Sequence, residues 1–191
     1  MGGRNIMSRR SFIGNTMAGV AAVGLMHAVR AAEPAAAANH SIRLGGPLDT
    51  KSDDPEEMAL AYRKVGYRAA YCPGVNLEDK DRIRAIAAAF AKHDVAIAEV
   101  GRWCNLLDAD ESKRQKNLEN VTNGLALADA IGARCCVNIA GSYNTKEWFG
   151  PHPDNLSKKF FDAAVENARK IIDGVKPSRA KFSYEMMGWS I

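Results

Sequence analysis

The chain has 191 residues, 47% of them hydrophobic and 25% charged, with a formal net charge of +4 at pH 7. Four Arg and one Glu fall within residues 1–38, so the other 153 residues carry 22 basic and 21 acidic side chains, a formal charge of +1. That length supports one domain with its own core, and the near-even balance, without a Lys/Arg cluster, excludes a polybasic surface for nucleic acid or anionic membrane.

Residues 1–38 read as a targeting segment and not as part of a fold. Ser8-Arg9-Arg10-Ser11-Phe12-Ile13 has the form of a twin-arginine export signal, followed by an apolar run from Met17 to Met26 and an alanine-rich tract from Ala31 to Ala38. The apolar run is too short for a permanent membrane span, which needs about 20 residues. Cleavage is expected after Ala31 or after one of Ala36 to Ala38. The expected route is the twin-arginine export machinery, and the expected location is periplasmic or secreted. That route carries folded proteins, so a metal- or cofactor-dependent enzyme is the first functional expectation.

Residues 39–191 alternate between strand and helix signals. Ser41–Leu44 reads as a short strand ending at Gly45-Gly46. Asp54 is an N-cap before Pro55, Glu56 and Glu57, predicting a helix to Val65 that Gly66 stops. Arg68–Tyr71 is the second strand. Asp79–His93 is the second helix, with Ile83, Ile86, Ala87 and Phe90 on one face. Val95–Val100 is the third strand. A third helix runs from about Ser112 to Ile131, with Ser112 and Gln115 as a capping box, Leu118, Val121, Leu125 and Ala128 inward, and Gly132 as its end. Arg134–Ile139 is the fourth strand, followed by a long loop, Ala140–Asp154. Asn155–Val175 is the fourth helix, with Phe161, Val165, Ala168 and Ile172 inward, and Lys181–Glu185 is the fifth strand.

Alternating strands and helices imply an α/β fold with a parallel sheet. The spacing suits either a (β/α)8 barrel or an open doubly wound sheet, and no G-x-G-x-x-G follows the first strand. A full barrel needs about 250 residues, so about five strands and four helices of one are expected. An open sheet of that size leaves an unpaired edge, and self-association as a homo-oligomer or aggregation is expected. The four cysteines (Cys72, Cys104, Cys135 and Cys136) form no C-x-x-C pair and read as free thiols, with Cys135 and Cys136 on opposite faces of a strand.

In parallel α/β folds the site lies at the C-terminal ends of the strands. Glu99, Asn138 and Glu185 fall there, with Trp103 just beyond the third strand. Strict alternation places Ile97 with Glu99, Cys136 with Asn138, and Ser183 with Glu185 on the inner face, with Cys135, Val137, Phe182 and Tyr184 toward the helices. A carboxylate aimed into such a mouth calls for water, a cation or a hydrogen-bond donor. Glu185 is either a catalytic base or metal ligand, or a solvated carboxylate on the rim. Glu99 is either site polarity or a structural hydrogen-bonding group. Trp103 and Trp148 either wall a sugar ring or cap the core. His152, between prolines, is a weaker substrate-binding candidate, and His93, at a helix end, is structural.

Leu44-Gly45-Gly46-Pro47, Tyr67-Arg68-Ala69-Ala70-Tyr71-Cys72-Pro73, Ala98-Glu99-Val100-Gly101, the run Ala133 to Ser142 and the run Gly150 to Leu156 together resemble sugar phosphate isomerase/epimerase proteins. These belong to the xylose isomerase-like TIM-barrel superfamily, and the resemblance covers about residues 41–191. It implies a divalent metal, Mn2+ first and Mg2+, Co2+ or Zn2+ as alternatives, held by Glu, Asp, His and Glu, with Glu185 in the position of the first. It further implies a carbohydrate substrate and proton transfer next to a carbonyl, the two Glu residues passing the proton. The residues supplying the Asp, His and second Glu are expected beyond Ile191, so the sequence reads as an N-terminal portion, inactive by itself. Met186 to Ile191 also lacks the Asn and Glu that follow this position in ketose 3-epimerases. The alternatives are a non-catalytic exported carbohydrate-binding or structural protein and, more distantly, a nuclease related to endonuclease IV.

Overall fold

The computed structural model describes residues 42–190; the expected signal segment, Ser41 and Ile191 lie outside the described residues. Five strands, β1 (Gly45–Gly46), β2 (Ala69–Tyr71), β3 (Ala96–Gly101), β4 (Cys135–Asn138) and β5 (Lys181–Tyr184), alternate with four helices, α1 (Pro55–Lys64), α2 (Lys80–Lys92), α3 (Glu111–Ile131) and α4 (Lys158–Val175). The sheet order is β1-β2-β3-β4-β5, and every neighbouring pair is parallel. A doubly wound sheet reverses its order at a switch point. This one does not, so the architecture is a five-stranded portion of a (β/α)8 barrel. Among the described residues no helix is long and apolar enough to cross a membrane.

Local chemistry explains the boundaries. The Asp54 carboxylate accepts from Glu57 N at 3.0 Å, and that of Asp79 from Arg82 N at 3.0 Å, closing the first turns of α1 and α2. At α3 the cap is Asp110, not Ser112: its carboxylate accepts from Ser112 N at 2.8 Å and Lys113 N at 3.3 Å. An acidic cap also meets the positive end of the helix, which a Ser hydroxyl does not. Gly132 ends α3 in the left-handed region at φ 83°. His93 caps α2 and pairs with Glu56, the structural role expected of it.

The main core lies between sheet and helices. Ile83, Ile86 and Phe90 of α2, Val121, Leu125 and Ala128 of α3, and Val100 of β3 are all buried in it. A smaller cluster of Leu107, Ala140, Phe160 and Ala164 sits under the loops at the end of β4.

Four expectations are corrected. The first strand is Gly45–Gly46, with Leu44 O already accepting from Arg68 N at 2.8 Å and Ala69 N at 3.2 Å, and β2 comes so close that a Cβ on Gly45 would meet Ala69 O at 2.4 Å. Residues Pro153–Leu156 form a 3-10 turn, and Ser157 caps a fresh helix by accepting from Phe160 N at 3.2 Å. That restart seats Phe160, Ala164 and Ile171 inward, one position before the expected stripe, and leaves Phe161 54% and Ile172 40% exposed. An irregularity opposite Ala70/Tyr71 inserts one residue into β3, so Ile97 packs in the core while Glu99 leaves it. On β4 the faces are reversed. Cys136 is fully buried, with its thiol 3.9 Å from Val121 O on α3, whereas Cys135 meets Ala98 O across the sheet. Asn138 shares the face of Cys136, not the inner face.

Candidate functional site

Glu185 follows β5 directly, and its N–H donates to Asn138 O at 2.8 Å, extending the β4–β5 ladder one residue past the strand. Its side chain therefore stands at the C-terminal end of the sheet. Trp103 follows β3, and its indole Nε1–H donates to Glu185 Oε2 at 2.8 Å. Gly101 makes room for that fold-back, since a Cβ there would lie 2.2 Å from the Trp103 ring. The Trp103 ring also packs on Tyr71, at the end of β2, with centroids 6.4 Å apart. Tyr71 and Trp103 are each about two-fifths exposed, and Glu185 is exposed. The end of the sheet thus offers an aromatic wall beside a carboxylate.

Glu99 completes the group. Burial, and secondarily the charge of Glu185, raises its pKa above the usual carboxylate range. The two carboxylates have unequal settings: Glu99 is half-buried, whereas Glu185 is solvated with a donor on one oxygen. Tyr71 also borders a hollow of about 510 Å³ lined by Pro47, Leu48, Asp49, Asp53 and Arg82, among others.

Asn138 is completely buried and on the helix side of β4. Its Oδ1 accepts from Cys104 N at 2.8 Å, and its Nδ2 donates to Cys104 O at 3.1 Å and Ile139 O at 2.7 Å. The Trp148 ring meets Phe149 edge-on at 4.9 Å, and Phe149 in turn packs on Trp189. His152 caps the 3-10 turn, its Nδ1 accepting from Asp154 N at 3.2 Å, and lines a shallow hollow of about 410 Å³ with Leu156 and Trp189. The structure therefore brings Glu99, Trp103 and Glu185 together and places Trp148 and His152 in the β4–α4 loop.

A buried polar brace between the β3–α3 and β4–α4 loops had no counterpart in the sequence reading. Asn105 Oδ1 accepts from Leu107 N and Ser142 N, both at 2.9 Å, and its Nδ2 donates to Ser142 O at 2.9 Å. Ser142 Oγ donates to Gly150 O at 2.8 Å and accepts from Asn155 Nδ2 at 3.0 Å. Asn155 Oδ1 accepts from Tyr143 N at 3.0 Å. The legible signal is a set of uncharged polar residues just beyond strand ends, beside Gly141 and among apolar neighbours. Buried groups of this kind persist only when satisfied, and here they fix the loops that hold Trp103.

Among the described residues no group of three or more His, Cys, Asp or Glu side chains is placed to hold a metal ion. Glu185 and Glu99 supply carboxylate oxygens without the further donors a divalent ion requires. The four cysteines are free thiols; Cys136 is buried and the other three are partly so.

No protein-family model matches the sequence, and no curated protein matches it. Solved structures do. The 3-keto-D-glucoside 4-epimerase of E. coli superposes with a TM-score of 0.54 at 13% identity, covering 76% of this chain and 57% of that one. An L-ribulose 3-epimerase gives 0.54 at 17% identity, covering 76% and 50%. Endonuclease IV from Thermus thermophilus gives 0.52 at 14% identity, covering 78% and 55%. The chain spans about half the length of these proteins. At such identities the likeness shows the fold alone, that of a TIM barrel.

Proposed function

We propose that this chain carries part of a sugar isomerase or epimerase site that moves a proton on and off the carbon next to a carbonyl. The observation that carries the reading is the Glu185 carboxylate, held by the Trp103 indole beside Glu99 at the C-terminal end of the sheet. The fold likeness to a 3-keto-D-glucoside 4-epimerase and an L-ribulose 3-epimerase supports a carbohydrate ligand. In this reading Glu185 takes the proton with its free oxygen, leaving an enolate. Glu99, whose raised pKa keeps it protonated further up the pH scale, is its partner acid. Tyr71 and Trp103 pack against the apolar face of the sugar ring. A divalent ion, Mn2+ first, belongs to this reading only with donors beyond the described residues, Glu185 giving one of its oxygens.

The test is exchange in D2O. The full chain, with and without Mn2+, is mixed with free ketoses, aldoses and 3-keto-glycosides, and deuterium entry next to the carbonyl is followed by NMR. Whatever exchange the chain supports, alone or with the missing donors supplied, should fall about 100-fold or more in Glu185→Gln. Binding without exchange selects the non-catalytic carbohydrate-binding alternative, and incision of abasic DNA selects the nuclease; either result overturns the isomerase reading. We also propose export of the chain to the periplasm by the twin-arginine route. Cell fractionation should find it outside the cytoplasm, and replacing Arg9 and Arg10 with Lys should retain it inside.

A further inference from the structure

Trp103 and Glu185 are 82 residues apart in sequence, yet their side chains meet at 2.8 Å. One residue touches the backbone of both. The Asn138 side chain pairs with the N–H and the C=O of Cys104, fixing the peptides on either side of the residue next to Trp103. The Asn138 carbonyl accepts from the N–H of Glu185 at 2.8 Å. Both amide hydrogens of Asn138 are used, and the side chain has no exposure, so it has no second setting within this packing. We propose that Asn138 is a positioning residue that fixes Trp103 and Glu185 relative to one another, so that the indole–carboxylate bond exists before a ligand arrives.

This inference rests on the reading of Glu185 as the proton-accepting group. It assigns Asn138 to the backbone of the site, where strict alternation had placed it on the inner face. A side chain able to donate and accept at once is required. Aspartate has the same shape, but its second oxygen would face the carbonyls of Cys104 and Ile139 and repel them.

The test uses the full chain labelled with 15N at tryptophan, without substrate. The three tryptophans give three indole signals, and Trp103→Phe identifies one of them. In the wild type the Trp103 indole proton, bonded to the Glu185 carboxylate, should exchange slowly with solvent, and Glu185→Gln should shift its signal and speed that exchange. In Asn138→Asp the Trp103 signal should move toward its Glu185→Gln position, while the Trp148 signal stays in place. A folded Asn138→Asp protein with the wild-type Trp103 signal and exchange rate overturns the proposal. If that variant does not fold, hydrogen exchange of the wild type decides. The Cys104 amide, bonded only to the Asn138 side chain, should be protected like the amides of β4, and exchange at a free-loop rate overturns the proposal. Loss of the sugar reading leaves these signals unchanged, and loss of the positioning role leaves wild-type turnover unchanged.

Discussion

Replacing Asp129 with Asn should loosen the entry to β5, the strand that carries Glu185 at its far end. The Asp129 carboxylate, on α3, accepts from Ser178 N and Oγ, both at 3.1 Å, from Arg179 N at 2.7 Å and from Ala180 N at 2.9 Å. These bonds, that from Ala180 foremost, bring its pKa from the usual 3.8 down to about 2. Unscreened, a depression of that size corresponds to about 2.5 kcal/mol of folding stability. The carboxylate is well solvated, and screening reduces this to about 1–1.5 kcal/mol. The folded pKa lies below the unfolded one, so this stability is complete above the unfolded pKa near 4. It is lost as the pH falls toward 2. Asn keeps one acceptor and no charge, as a protonated Asp would. Thermal denaturation at pH 7 should therefore show a midpoint about 3–5 °C lower for Asp129→Asn, and the gap should close as the pH approaches 2. Equal midpoints at pH 7, or a gap that persists unchanged into acid, would refute the reasoning.

Other consequences can be checked as directly. Burial and the charge of Glu185 raise the Glu99 pKa, so its ionised form opposes folding above the unfolded pKa. Glu99→Gln should raise the urea midpoint at pH 7 and leave it unchanged near pH 3; a lower midpoint at pH 7 contradicts this. Gly141 sits at φ 112°, where a Cβ would lie 2.2 Å from Asn105 Oδ1. Gly141→Ala should cost about 2–4 kcal/mol in urea denaturation, and a loss under about 0.5 kcal/mol would mean that the loop brace is adaptable. Burial pushes the Cys136 thiol up to about 12, so it should stay unlabelled by a disulfide reagent at pH 8 until the chain unfolds, as mass spectrometry would show. Phe161 and Ile172 leave an apolar stripe on α4, and β1 and β5 are the end strands of the described sheet. Size-exclusion at micromolar concentration should find self-association, and a clean monomer would contradict it.

The order of elements, the starts of α1 and α2 and the glycine stops were legible in the sequence because each is decided within about one turn of chain. Asp54 and Asp79 bond to amides three residues away, and Gly132 needs only its own φ. The carboxylates at strand ends were legible for the same reason: position along a strand is a local property, and parallel sheets put their sites at one end. What tertiary structure decided is whatever depends on phase or on closure. One inserted residue in β3 turned Ile97 away from Glu99, and Ser157 restarted α4 one position out of step, where two adjacent apolar stripes left periodicity with no preference. The unreversed strand order separated a barrel from a doubly wound sheet. Trp103 meets Glu185, and Asn138 holds both, only because the hydrogen-bonded ladder brings β3, β4 and β5 side by side. No pattern in the intervening 81 residues encodes that meeting, which arises from the register of three strands.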